Sequence, residues 1–161
     1  MITRNLHNYF MSHMMHVETT VKGMSGSTFN LPVYVGLGGV VYMHTVSTEL
    51  AAAINGWNAR TIRIGSGTTD PSYDDYNLES MINVAPKSIT SAISGSYENS
   101  YDIILAAFLN ETDTDWVVTE IGEYTSTEFQ NTSKTILLAR EVFDPVTVKP
   151  GQTFSVSMKL F

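Results

Sequence analysis

Hydrophobic positions along this chain follow two different periods. Over residues 3–17, Leu6, Phe10, Met14 and Val17 recur at helical spacing, with Tyr9 beside them. Thr3 stands where an N-cap belongs. The pattern predicts an N-terminal helix. Its apolar stripe suits either the domain's own sheet or a neighbouring subunit, and the methionines suit an adaptable contact. Leu6, Phe10, Met14 and Val17 are the residues we mark for assembly contacts.

Beyond the helix the period is that of strands. "VETTVKG", "NLPVYVGLGG" and "VVYMHTV" are β-branched or aromatic runs cut by Gly and Pro. Ser47 to Trp57 forms a second helical pattern, capped by Ser47 and closed by Asn55-Gly56. "ARTIRIG" alternates Ile62 and Ile64 with Arg63. "SMINVAPKSITSAIS" is interrupted by Pro86, which predicts an edge or a bulge. "YDIILAAFL" is continuously apolar and predicts a strand buried on both faces. "WVVTEIGEY" alternates and places Glu120 on the Trp116–Val118 side. "STEFQNTS" reads as a polar loop, "KTILLAREVF" as a strand and "DPVTVKPGQT" as a turn. "TFSVSMKLF" alternates Phe154, Val156, Met158 and Leu160 against Ser155, Ser157 and Lys159. The expected fold is mainly β, an antiparallel β-sandwich of jelly-roll type with an N-terminal α-helix. Neither linker nor internal repeat interrupts it. One domain is expected over 1–161, with a helical arm over 1–20 and the sandwich over 21–161.

Composition narrows the function classes. The chain has 161 residues, a formal net charge of −7 and no cysteine. Zinc–thiolate sites, iron–sulfur clusters and a cysteine nucleophile are excluded. Lys and Arg total nine and are scattered, so the basic footprint of a nucleic-acid binder is missing. Anionic membrane surfaces are disfavoured for the same reason, and no apolar run approaches the ~18 residues of a membrane span. Charged residues are 16% of the chain, below the ~25% usual for globular domains. Ser, Thr, Asn and Gly replace them, as suits a β protein packed against copies of itself.

The candidate chemistry is thin. Gly65-Ser66-Gly67-Thr68-Thr69 has the glycines of a phosphate loop, but no lysine follows and Asp70, Asp74 and Asp75 repel phosphate. Gly36 to Gly39 reads as a bend. The three aspartates are oxygen ligands suited to calcium, without the spacing of an EF-hand. Their structural role is a turn at Asp70-Pro71 and a cap on a short helical segment "DYNLESM". His13 and His16 share a helix face without a nearby carboxylate set, so a polar face is preferred to a metal site. Glu120 and Glu123 are three apart on a strand and face opposite sides, unlike a glycosidase pair. A buried Glu120 would need Arg140 or backbone N–H groups as partners. Asn110 and Asn131 match glycosylation acceptors. No catalytic set and no cofactor is expected.

Three stretches together resemble a family of tailed-virus virion proteins, of the tail-collar, tail-fibre or baseplate-associated type. The first is "GWNARTIRIGSGTTDPSYDDYNLES", similar to that family's strand, Gly-x-Gly-Thr-Thr turn, acidic loop and Leu-Glu pair, here Leu78-Glu79. The second is "WVVTEIGEY", with Glu123 where many members carry an apolar residue. The third is "ILLAREVFDPVTVKPGQTFSVSMKLF", similar to the family's closing strand pair. The likeness runs over about residues 56–161, while residues 1–55 share less of it. It implies a non-enzymatic part of a phage or archaeal-virus particle, assembled in the host cytoplasm. Its partners are then copies of itself and other virion proteins. Gly65, Gly67, Thr68, Glu120 and Gly122 become architectural positions. Capsid decoration, a vertex turret, or a carbohydrate-binding host-recognition module using Tyr73, Tyr76, Tyr97, Tyr101 and Trp57 are the alternatives.

Overall fold

Strand-forming sequence dominates, and among the described residues the fold is mainly β with antiparallel sheets and one short helix. The computed structural model describes residues 1–15, 18–31, 60–88, 90–94, 101–129 and 132–159. Helix α1 spans Arg4–Met15. Thr3 caps it: its hydroxyl oxygen accepts from Leu6 N at 3.4 Å. The same hydroxyl donates to the Leu137 carbonyl at 2.8 Å, so the cap also fastens the helix to the sheet. Strands β1 (Thr19–Lys22) and β2 (Thr28–Leu31) pair as a hairpin, and Gly26 turns it at a φ of 83°.

Four strands make the larger sheet. β3 (Arg60–Gly65), β4 (Lys87–Ser88), β7 (Trp116–Phe129) and β8 (Thr132–Val148) lie in the order β4-β3-β7-β8. β5 (Thr90–Ser94), β6 (Tyr101–Leu109) and β9 (Thr153–Lys159) form a second sheet in the order β5-β6-β9. Ile62 and Ile64 of β3 bury fully against Phe108 of β6, Val118 of β7, Val148 of β8 and Val156 of β9. Both sheets thus share one apolar cluster, to which each fully buried large side chain contributes about 1.5–3 kcal/mol. Phe143 of β8 and Phe154 of β9 stack across the same region at 6.2 Å.

The N-terminus is part of this sheet's edge. Thr3 N donates to Leu138 O at 3.0 Å, Arg140 N donates to Met1 O at 2.9 Å, and Ile2 bridges Ala139. Further along β8, Gly23 bridges Ile136. Leu6 and Phe29 pack on Val21, Ile136 and Leu138. The first three residues and the β1–β2 hairpin therefore cover backbone groups of β8 that would otherwise form an open edge.

Several sequence expectations are corrected. "DYNLESM" is irregular, bent backbone that ends in a bridge at Met81, not helix; the Tyr124 hydroxyl takes the Leu78 donor and the Glu120 carboxylate takes those of Glu79 and Ser80 instead. "STEFQNTS" is not a loop: β7 continues to Phe129 and β8 begins at Thr132. β8 also runs on through Asp144-Pro145 to Val148, so the turn is confined to residues 149–152. The second half of β6 alternates rather than burying both faces. Ala106 and Phe108 are buried, and Ala107 and Leu109 are exposed, because only one side of the three-stranded sheet meets the shared core. Pro86 precedes the two-residue β4, and beyond it the chain crosses to the other sheet at β5. The second helical pattern, over 47–57, and Gly36 to Gly39 lie outside the described residues.

Candidate functional site

The Gly65–Ser80 segment leaves the end of β3 and crosses the face of the larger sheet. Its chemistry is set by one buried carboxylate. Glu120 is fully buried. Its Oε1 accepts from Gly67 N at 3.0 Å and Ser80 N at 2.8 Å. Its Oε2 accepts from Glu79 N at 3.1 Å and from Arg140 Nε at 2.8 Å. All four bonds suit an ionised carboxylate, which accepts on both oxygens.

A break in the pleat puts Glu120 there. Val118 and Ile121, three apart, both pack in the shared core, whereas Thr119 and Glu120 both reach Gly67. The register shifts between Val118 and Glu120. Such an irregularity re-aims a side chain. Glu120 is therefore not on the Trp116–Val118 side, as strict alternation predicts, but on the opposite face beneath the loop.

Arg140 is the counter-charge. It pairs across the ladder with Gly122, and its side chain is 3% exposed. Nη1 donates to Asp75 Oδ2 at 2.9 Å, and Nη2 lies 3.6 Å from Glu79 Oε2. Burial acts to lower its pKa, but the hydrogen bonds to Asp75 and Glu120 outweigh this and hold it above the usual arginine value. Glu79 in turn accepts from Thr68 N at 2.9 Å, Thr69 N at 2.8 Å and the Thr69 hydroxyl at 2.9 Å. Those bonds from Thr69 hold its carboxyl below the usual range, aided by Thr68 and the Arg140 charge.

The glycine-threonine turn is thus an anion nest whose anions belong to the chain itself. Backbone N–H groups of Gly67, Thr68 and Thr69 point inward, as in a phosphate loop, and meet Glu120 and Glu79. The glycines make the approach feasible. A Cβ on Gly67 would sit 2.5 Å from Glu79 Cβ, and one on Gly65 would overlap Glu120 Oε1. One on Gly122 would come within 2.9 Å of Leu78 and Leu137 side-chain carbons. Beneath the loop, Leu78, Tyr124 and Leu137 form a small buried cluster. The Tyr124 hydroxyl accepts from Leu78 N at 3.0 Å and donates to Asn77 Oδ1 at 2.8 Å. Burial pushes its phenol well above the usual tyrosine range, so it stays neutral.

An open cleft of about 470 Å³ borders the loop, lined by Met24, Thr69, Tyr76, Asn77, Glu79 and Arg140 among others. The aspartates singled out for calcium divide here. Asp75 bonds Arg140 and Ser72 N, Asp74 pairs with Arg4, and Asp70 is exposed. The face of Tyr73 carries the Arg4 guanidinium at 4.9 Å, and that of Tyr76 carries the Lys22 ammonium at 3.8 Å. Trp57 and Tyr97 lie outside the described residues, as does the side chain of Tyr101.

The structure brings Gly65, Gly67, Thr68, Glu120 and Gly122 into this one site. Of the four proposed assembly residues, three lie on α1, away from this site. Leu6 packs within the chain, Phe10 and Met14 lie on α1 with side chains outside the described set, and Val17 and His16 lie outside the described residues. Asn110 is buried, and its amide donates to Thr114 O and Val148 O. The folded chain does not present it as a glycosylation acceptor, and Asn131 lies outside the described residues. Sequence reasoning missed Glu79 and Tyr124 as members of the site and gave Asp75 a cap or calcium role in place of its ion pair with Arg140. The available signal was the Leu78-Glu79 pair, eleven residues after the threonine whose backbone it binds.

No family model, curated protein or solved structure matches the chain.

Proposed function

We propose that this chain is a non-enzymatic structural component of a tailed-virus particle. It assembles as an oligomer on the tail, baseplate, neck or capsid. One observation carries the reading: the residues behind the resemblance are consumed in architecture. Gly67 bonds and Gly65 packs against Glu120, Thr68 bonds Glu79, and Gly122 packs against Leu78, Tyr124 and Leu137. The acids of the site serve backbone donors and one arginine. The apolar cluster shared by the two sheets supports the finer reading of a β-sandwich. Capsid decoration and a vertex turret are variants of the same role.

The glycan-binding reading receives less support, because Tyr76 at the cleft and Tyr73 on the same loop already carry cationic partners on their faces. The test is light scattering of the purified chain, paired with tracing the chain into density of intact particles. Assemblies larger than a monomer and a defined position in the particle are expected. Strict monomer behaviour, with no partner recovered from particles, removes the proposal.

A further inference from the structure

We propose that the Gly65–Ser80 segment is an acid-released strap, which lets go of the sheet face while both sheets stay folded. The motivation lies in where its backbone donors end. The N–H groups of Gly67, Thr68, Thr69, Ser72, Glu79 and Ser80 all donate to carboxylates, those of Glu120, Glu79 and Asp75. By contrast, the ladders β7–β8, β3–β7 and β6–β9 are backbone pairs. Ionisation therefore bears directly on the strap and only indirectly on the sheets.

The charges around each acid are unequal in number. Glu120 of β7 faces Arg140 of β8, Glu79 of the strap and the neutral Tyr124 phenol. Asp75 faces Arg140, and its neighbour Asp74 faces Arg4 of α1. Glu79 faces Arg140. Three carboxylates thus share one guanidinium. Adding a proton to any of them removes an ion pair and takes acceptor capacity from several N–H groups at once. The sign follows from Glu79. Its carboxyl is depressed below the ordinary 4.5 in the folded chain. Its contribution is therefore complete above that ordinary value and disappears as pH falls through the lower folded one.

The strap has other ties. Thr119 donates to Gly67 O, Tyr124 holds Leu78 N, Arg4 N donates to Tyr73 O, and Ile82 N donates to Ile64 O. The bonds of Thr119 and Tyr124 open with the strap, while the Arg4 bond to its middle and the Ile82 bond beyond its end keep it tethered after release. Release uncovers the apolar strip of Leu78, Tyr124 and Leu137. The cluster around Ile62, Ile64, Phe108 and Val118 stays closed. The device does not depend on the virion reading.

The experiment follows backbone amides of the labelled chain by NMR from about pH 7 to about pH 3, across the carboxylate range. Amides of Gly67, Thr68, Thr69 and Ser80 should shift and broaden at a pH where those of Phe108, Val118 and Val156 are unchanged. Binding of an apolar dye should rise over the same interval. A second arm uses Glu79→Gln, a change at a side chain that is 43% exposed. Its strap amides should exchange roughly three- to tenfold faster at neutral pH, the factor for one net hydrogen bond, with ladder amides unaltered. A single transition in which strap and ladder amides are lost together overturns the proposal. So do strap amides that persist unchanged through the acid range, or a Glu79→Gln chain whose strap exchanges as the parent's does.

Discussion

Replacing Glu120 by Gln tests the central energetic claim, because shape is kept and only acceptor capacity changes. The carboxylate serves four donors, two on each oxygen. A carboxamide offers one oxygen, and its NH2 group confronts the other two donors. If the NH2 takes the Oε2 position, Glu79 N and Arg140 Nε lose their acceptor. In the flipped orientation, Gly67 N and Ser80 N do. Either way two buried donors go unmet, at about 1–3 kcal/mol each, for a total of about 2–6 kcal/mol. For a chain of this size 1 kcal/mol moves Tm by roughly 2–4 °C, so a fall of roughly 10 °C is expected. Urea denaturation followed by tryptophan fluorescence measures the difference directly. A companion chain carrying both Glu120→Met and Arg140→Met sharpens the test. A bare buried ion pair replaced by apolar residues is often neutral or better. Here three backbone N–H groups remain without acceptors, so the double variant should stay unstable. A Glu120→Gln loss below about 1 kcal/mol, or a double variant as stable as the parent, would refute the reasoning.

Gly67→Ala should cost about 1–3 kcal/mol by overpacking, since its Cβ has no room beside Glu79 and Glu120. Gly151→Ala is the control: its φ is +77° but nothing lies within 4 Å, so only backbone strain of about 1–2 kcal/mol remains. The two should differ in whether strap amides are disturbed, which they are for Gly67→Ala alone; matching amide spectra contradict the packing account. Tyr124→Phe leaves Leu78 N without its acceptor and should cost about 1–3 kcal/mol in urea denaturation, with faster exchange at the Leu78 amide. An unaltered urea midpoint would show that the hydroxyl contributes nothing.

Spacing and residue chemistry along the chain were enough to place β3 and the start of α1 and to name the Glu120–Arg140 pair. Ile62 and Ile64 announced β3 by period, Thr3 announced the start of α1, and both proved buried or capping as their spacing required. A glutamate in an apolar strand demanded either Arg140 or backbone donors, and it has both. Desolvating a carboxylate is so costly that its partners can be foreseen. Tertiary structure alone decided which face Glu120 takes. Alternation carries no record of the pleat break at Val118 and Glu120, and a slip of one residue reverses every later side chain. It also decided that the first three residues close the edge of β8, that the chain changes sheet between β4 and β5, just beyond Pro86, and that Leu109 faces solvent. Those outcomes depend on pairings between residues distant in the chain. They are settled only when all apolar faces and all backbone donors are satisfied at once.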